Sequence, residues 1–178
     1  MSHFQGQVTA VDFLTAIAQT ESLMTRIETE NLKEEEIEKA IASLVESQDG
    51  ARGFFVAYLT SDLVFADNPS IGVINALKSS PKIVSELLVK NLAMSAAMAV
   101  THRRNKDEEK ARGSERVCRR SANLIQQIHL DLVSSKLKEL EASVASREGI
   151  YQDFLQRWEY DSEQRQAIQE AIAVLNYL

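Results

Sequence analysis

Apolar residues recur at helical spacing along almost the whole chain. Val11, Leu14, Ile17 and Ala18 open the first stripe, which continues through Leu23, Met24 and Ile27. Thr9 and Asp12 have capping-box spacing ahead of it, with aspartate in the usual glutamate position. Asn31 with Glu34 repeats that spacing and predicts a second helix. Ile37, Ile41, Leu44 and Val45 form its stripe, and Asp49-Gly50 is the expected stop. The acidic run Glu34-Glu35-Glu36 falls in its first turn, where the helix dipole favours negative charge, so it reads as capping and solvation.

Gly50-Ala-Arg-Gly53 reads as a short loop. Phe54, Tyr58, Ser61 and Phe65 share one helical face and predict a helix over 54–66, although the Phe, Val, Tyr and Thr content also suits a strand. Asp67-Asn68-Pro69 breaks the chain, and a short helix over 70–78 is expected to turn Ile71, Ile74 and Leu77 inward.

The most apolar stretch runs from Pro81 to Arg104. Ser80 stands at the cap position and Pro81 at the first helical position, where proline fits best. Glu86 and Lys90 make an i,i+4 pair on one side, and Ala93, Ala97 and Thr101 extend that side with small side chains. Two neighbouring helices are expected to sandwich it. His102 to Gly113 is charged and reads as either a loop or an exposed helical continuation. Ser114 opens a further long helix reaching about Ser146, with Val117, Ser121, Leu124 and Ile128, then Val133, Leu137, Leu140 and Val144, as its stripe. The gap between Ile128 and Val133 breaks the phase and predicts a turn of the buried seam. Tyr151, Phe154, Leu155 and Trp158 form an aromatic stripe, and Asp161 or Ser162 caps a last helix carrying Ile168, Ala171, Ile172 and Leu175.

The pattern predicts an all-α, single-domain helical bundle over residues 1–178, of about seven to eight helices, with residues 1–7 as a loose tail. Pro81–Arg104 and Ser114–Ser146 are expected as two long antiparallel helices at its centre. Six glycines and two prolines are too few for the turns of a β-rich fold. Ile83 to Val100 is the longest apolar run, and Glu86 and Lys90 interrupt it, so no membrane span is expected. The single cysteine, Cys118, cannot form an internal disulfide, and no secretory leader pattern is visible, so a cytoplasmic protein is expected.

Charge is the uneven feature. Between His102 and Arg120 stand eight basic residues (Arg103, Arg104, Lys106, Lys110, Arg112, Arg116, Arg119, Arg120) and four acids. That segment is +4 in a chain of net charge -6, which leaves -10 for the remainder. Arg112, Arg116, Arg119 and Arg120 fall on one helical face, where like charges at i,i+4 repel unless acids or an anionic ligand offset them. With His102, Arg103 and Arg104 they form a candidate anion- or partner-binding set. The bland alternative is a solvated face with Glu108–Arg112 and Glu115–Arg119 pairs. Nucleic-acid binding is disfavoured by the acidic balance and by the lack of aromatics in the segment.

Catalytic chemistry finds little footing. No Glu-x-x-His, His-Glu-x-x-His, Cys-x-x-Cys or EF-hand spacing occurs, so no metal ligand can be nominated. No phosphate loop occurs either. Cys118 beside Arg119 and Arg120 is either an activated thiolate or a small buried hydrophobe, and the latter is the commoner state. His102 and His129 are open to a general-base or axial-ligand role, against the ordinary reading of a satisfied histidine. No cofactor and no catalytic residue is named. The expected function is a non-enzymatic helical interaction or assembly protein, homo-oligomeric or bound to a protein partner. The alternative is a sensor-like small-molecule or cofactor-binding protein whose pocket is lined by Met94, Met98, aliphatic residues and some aromatics, with an arginine for an anionic group.

Overall fold

The computed structural model describes residues 10–175. Thr9 and the tail predicted over 1–7 lie outside the described residues. Among the described residues there are nine α-helices, one 3₁₀ turn and no strand, so the all-α expectation holds. Phe13–Thr29 (α1), Glu34–Val45 (α2), Gln48–Thr60 (α3) and Ile71–Lys78 (α4) precede Pro81–Arg104 (α5). Glu108–Ile128 (α6), Asp131–Ser146 (α7), Gln152–Arg157 (α8) and Ser162–Ala173 (α9) follow it. The 3₁₀ turn, Val64–Asp67, sits in the connector between α3 and α4.

Helix α5 is the axis. Val84, Leu88, Val89, Leu92, Ala93 and Ala97 are all fully buried on it. It is the one described helix long and apolar enough to cross a membrane, yet 56% of that window is buried against the rest of the chain. It packs most extensively on α6, then on α9 and α7. Arg103 pairs with Glu115 while Cys118 reaches the Leu92 carbonyl, so α5 and α6 run antiparallel as a hairpin. Glu86 pairs with Lys90 as its spacing predicts, at 2.8 Å, and also holds Lys136 of α7 at 2.7 Å and accepts from the Tyr151 hydroxyl at 3.1 Å.

Several boundaries differ from those expected, each for a local reason. The helix expected over Ser114–Ser146 is two helices. His129 takes a left-handed conformation, φ +48°, and ends α6, and α7 restarts after Leu130. The five-residue gap in the apolar pattern is therefore a chain break rather than a turning seam. Helix α6 also starts earlier, at Glu108, so the charged segment is helix except for the tight turn at 105–107. Gly50 and Gly53 are not in a loop. Ser47 caps α3 by accepting the Gly50 N–H at 3.1 Å, and both glycines lie inside the helix. A Cβ on Gly53 would stand 2.6 Å from the Ala16 Cβ, so that glycine lets α1 and α3 touch backbone to backbone. The helix expected over 54–66 stops at Thr60. Helix α2 opens after Lys33 rather than at Asn31, with Glu36 accepting the Lys33 N–H at 3.0 Å. Ile71 points outward, 60% exposed, while Val73, Ile74 and Leu77 carry α4 inward. Asp12 caps α1, accepting the Thr15 N–H at 3.0 Å, and Asp161 with Gln164 forms the capping box of α9.

Candidate functional site

The basic segment folds as the tip and returning limb of the α5–α6 hairpin. Asp107 caps α6 by accepting the Lys110 N–H at 3.1 Å and also pairs with the Lys110 ammonium at 2.8 Å. Most of the candidate cations then meet acids of the same chain. Arg103 pairs with Glu115, and Arg104 with Asp161 and Glu163 at the start of α9. Arg116 pairs with Asp62 at 2.8 Å, and Arg119 with Asp67 at 3.3 Å. Glu115 thus turns to α5 rather than to Arg119. Arg112 is exposed and makes no ion pair among the described residues, and His102 is half-buried.

Arg120 is different in kind. Its side chain is 2% exposed, and all five of its N–H groups find acceptors. Nε and Nη2 grip the two oxygens of Asp67 at 2.8 and 3.0 Å. Nη1 donates to the Leu59 and Ser61 carbonyls at 3.1 and 2.6 Å, and Nη2 to the Leu63 carbonyl at 3.3 Å. Asn123 adds a bond to the Asp67 carbonyl at 3.0 Å. Positions 116, 119, 120 and 123 are one face of α6, and together they tie down the connector that leaves α3. Fork geometry around Arg120 holds the Asp67 carboxyl down at about 2, against an ordinary 3.8, with Arg119 adding to the effect. Arg120 therefore leaves the candidate set: it has no donor left for an outside anion.

Cys118 carries no activated thiolate. Burial pushes its thiol upward despite the neighbouring arginines, which point to the connector instead. His129 is exposed at the α6–α7 break. Among the described residues no three His, Cys, Asp or Glu side chains gather as a metal ion would require.

Of the concavities that α6 lines, two have mainly apolar walls. The larger, about 630 Å³, lies over Leu92 between Cys118 and Ala122 of α6 and Ala171 of α9 with Val174 at its C-terminal cap. Of its charged groups, Arg119, Arg120 and Asp67 satisfy one another, and Glu115 pairs with Arg103 of α5. The smaller, about 380 Å³, is a crevice where the end of α3 meets α5 and α6. Met94 and Met98 line its α5 side, Gly113 and Val117 its α6 side, and His102, Lys110 and Arg116 its rim. A Cβ at Gly113 would meet nothing within 4 Å, so that wall is open. Here one charged group is incomplete: the Arg116 Nε is buried and has no hydrogen-bond partner among the described residues.

The chain belongs to the family Uncharacterised conserved protein UCP020893. The family model matches residues 12–175, which is every described helix. No curated protein matches the chain, and no solved structure matches it. The site of this UCP020893 member is therefore argued from its own geometry. That geometry brings His102, Lys110 and Arg116 together around the two methionines and disperses Arg103, Arg104, Arg119 and Arg120 into structural pairs. Thr60, Asp62 and Asp67, which sequence reasoning passed over, prove to be partners of the basic face. Only the chain break at Asp67-Asn68-Pro69 hinted at them.

Proposed function

We propose that this protein acts by binding rather than by catalysis, and that its ligand is a small molecule with an apolar body seated in the α3–α5–α6 crevice. The observation that carries this reading is the pair Met94 and Met98, half-buried on the most apolar helix and left uncovered beside Gly113. Methionine is polarizable and unbranched, and adapts to varied apolar shapes. A concave apolar floor with a few polar groups at the rim is the usual form of a ligand site. Lys110 and Arg116 in its lining already hold Asp107 and Asp62, and the donor that remains open to an acidic group on the ligand is the Arg116 Nε.

Fluorescence titration with an anilinonaphthalene sulfonate, an aromatic body with one sulfonate, tests this directly. Saturable binding at one site per chain, lost in Met98→Glu with the helical circular dichroism retained, is the expected result. Binding of equal strength in that variant would overturn the assignment.

A second reading is a non-enzymatic assembly or interaction protein, a homo-oligomer or the holder of a protein partner. It is supported by the same uncovered methionine stripe and by Val56, which is exposed on α3. Native mass spectrometry separates the two, since assembly predicts a dimer or larger species that Met98→Glu dissolves. A nucleic-acid partner is disfavoured, because the basic face spends most of its charge on acids of its own chain. A lone cysteine and the absence of any disulfide fit the cytoplasm.

A further inference from the structure

We infer that Arg116 is the residue that reads the ligand's head group, and that the head is a carboxylate or phosphate bound side-on across its Nε and Nη2. This rests on the crevice being the ligand site. The template for the contact is in the same helix. In Arg120 the Nε–Nη2 edge grips both oxygens of Asp67. One turn earlier, the same edge of Arg116 holds no carboxylate. Its Nε is buried without a partner, and its Nη2 reaches only the Thr60 carbonyl, at 3.4 Å. Arginine presents that edge as a flat two-point donor whose spacing matches carboxylate and phosphate oxygens. A buried donor with no acceptor costs free energy until something fills it. The side chain carrying it lines the crevice that holds Met94 and Met98.

Asp62 sets the resting state. It takes the remaining Nη1 of Arg116 at 2.8 Å from a side chain 91% exposed to water. A pair that open is weak and salt-screened. It orients the guanidinium and leaves the Nε–Nη2 edge without a carboxylate. It also places a negative charge beside the incoming head, and so lowers affinity for it. The connector itself does not depend on this pair, because Arg120 holds the Leu59, Ser61 and Leu63 carbonyls on both sides of Asp62.

Calorimetric titration of the full chain with decanoate, decyl phosphate and decanol tests the inference. Decanoate or decyl phosphate is expected to bind at least about tenfold more tightly than decanol, the scale of a charge-assisted hydrogen bond. Which of the two acids binds more tightly names the head. Arg116→Lys keeps the charge and loses the fork, and is expected to erase about tenfold of that preference. Asp62→Asn is expected to raise affinity for the acids and leave decanol unchanged. If none of the three binds, the crevice reading itself falls. If decanol binds as well as the acids, or Arg116→Lys matches the wild type, the crevice stands and the assignment of Arg116 is overturned.

Discussion

The Arg120 guanidinium and the Asp67 carboxylate meet as a two-point fork, Nε to Oδ1 at 2.8 Å and Nη2 to Oδ2 at 3.0 Å. The same guanidinium holds three backbone carbonyls, Leu59 at the end of α3 and Ser61 and Leu63 of the connector, so it replaces the water that those groups would otherwise bind. Removing it leaves three carbonyls without their donor and the Asp67 carboxylate with Arg119 as its remaining cation. Arg120→Met is therefore expected to destabilise the fold by about 3–5 kcal/mol. Arg120→Lys, with three donors in place of five, is expected to lose about 2–3 kcal/mol. Urea unfolding followed by circular dichroism measures both. A lysine variant as stable as the wild type would show that charge alone, not the fork, holds the connector.

The same pair gives the protein part of its acid sensitivity. Asp67 titrates at about 2 in the fold and near 3.8 when unpaired, so its folded value is depressed. Its contribution is complete above about pH 4 and is lost as pH falls toward 2. Asp161, held at about 2 chiefly by Arg104, adds a second contribution of the same sign in the same window. Asp67→Asn is expected to be less stable at neutral pH and to lose less stability than the wild type between pH 4 and 2. Parallel unfolding curves for the two proteins across that window would refute the assignment.

How much of this was legible depended on range along the chain. Helix α5 begins at Pro81 and ends at Arg104 as its pattern predicts, because its cap, its proline and its terminal cations are local signals. The basic face of α6 was legible for the same reason. Its partners were not: Asp62 and Asp67 lie more than fifty residues earlier, on a connector with no regular pattern. The single sequence therefore offered the charges without their neutralisation, and an anion site was expected where Arg120 makes a structural clamp. The crevice was partly legible, since Met94, Met98 and an arginine were nominated for a pocket. Which arginine, and that its Nε lacks a partner, needed the fold.

Glycines misled for a related reason. A glycine signals a turn or a close approach, and one sequence does not separate the two. At Gly53 the approach is the cause: an added Cβ would stand 2.6 Å from both the Ala16 Cβ and the Phe13 carbonyl oxygen. Because helix propensity favours alanine over glycine by about 1 kcal/mol, a solvent-facing site would gain from Gly→Ala. Gly53→Ala is instead expected to destabilise by about 1–3 kcal/mol through overpacking. Thermal unfolding reads the sign, and a stabilised variant would mean that α1 and α3 do not cross here.

The break between α6 and α7 makes the sharpest test of the fold, because the two descriptions of residue 129 predict opposite signs. In a continuous helix His129→Gly would cost about 1 kcal/mol, the ordinary price of glycine in a helix interior. In the structure His129 sits at φ +48°, the left-handed conformation that side chains with a Cβ resist and glycine adopts freely. Its side chain is exposed, so little packing is lost with it. His129→Gly is therefore expected to be neutral or to stabilise by up to about 1 kcal/mol. His129→Val, β-branched and strained at that φ, is expected to destabilise by at least as much. Chemical unfolding of the two variants against the wild type gives the order Gly, His, Val if the chain breaks here. The reverse order would restore a single long helix.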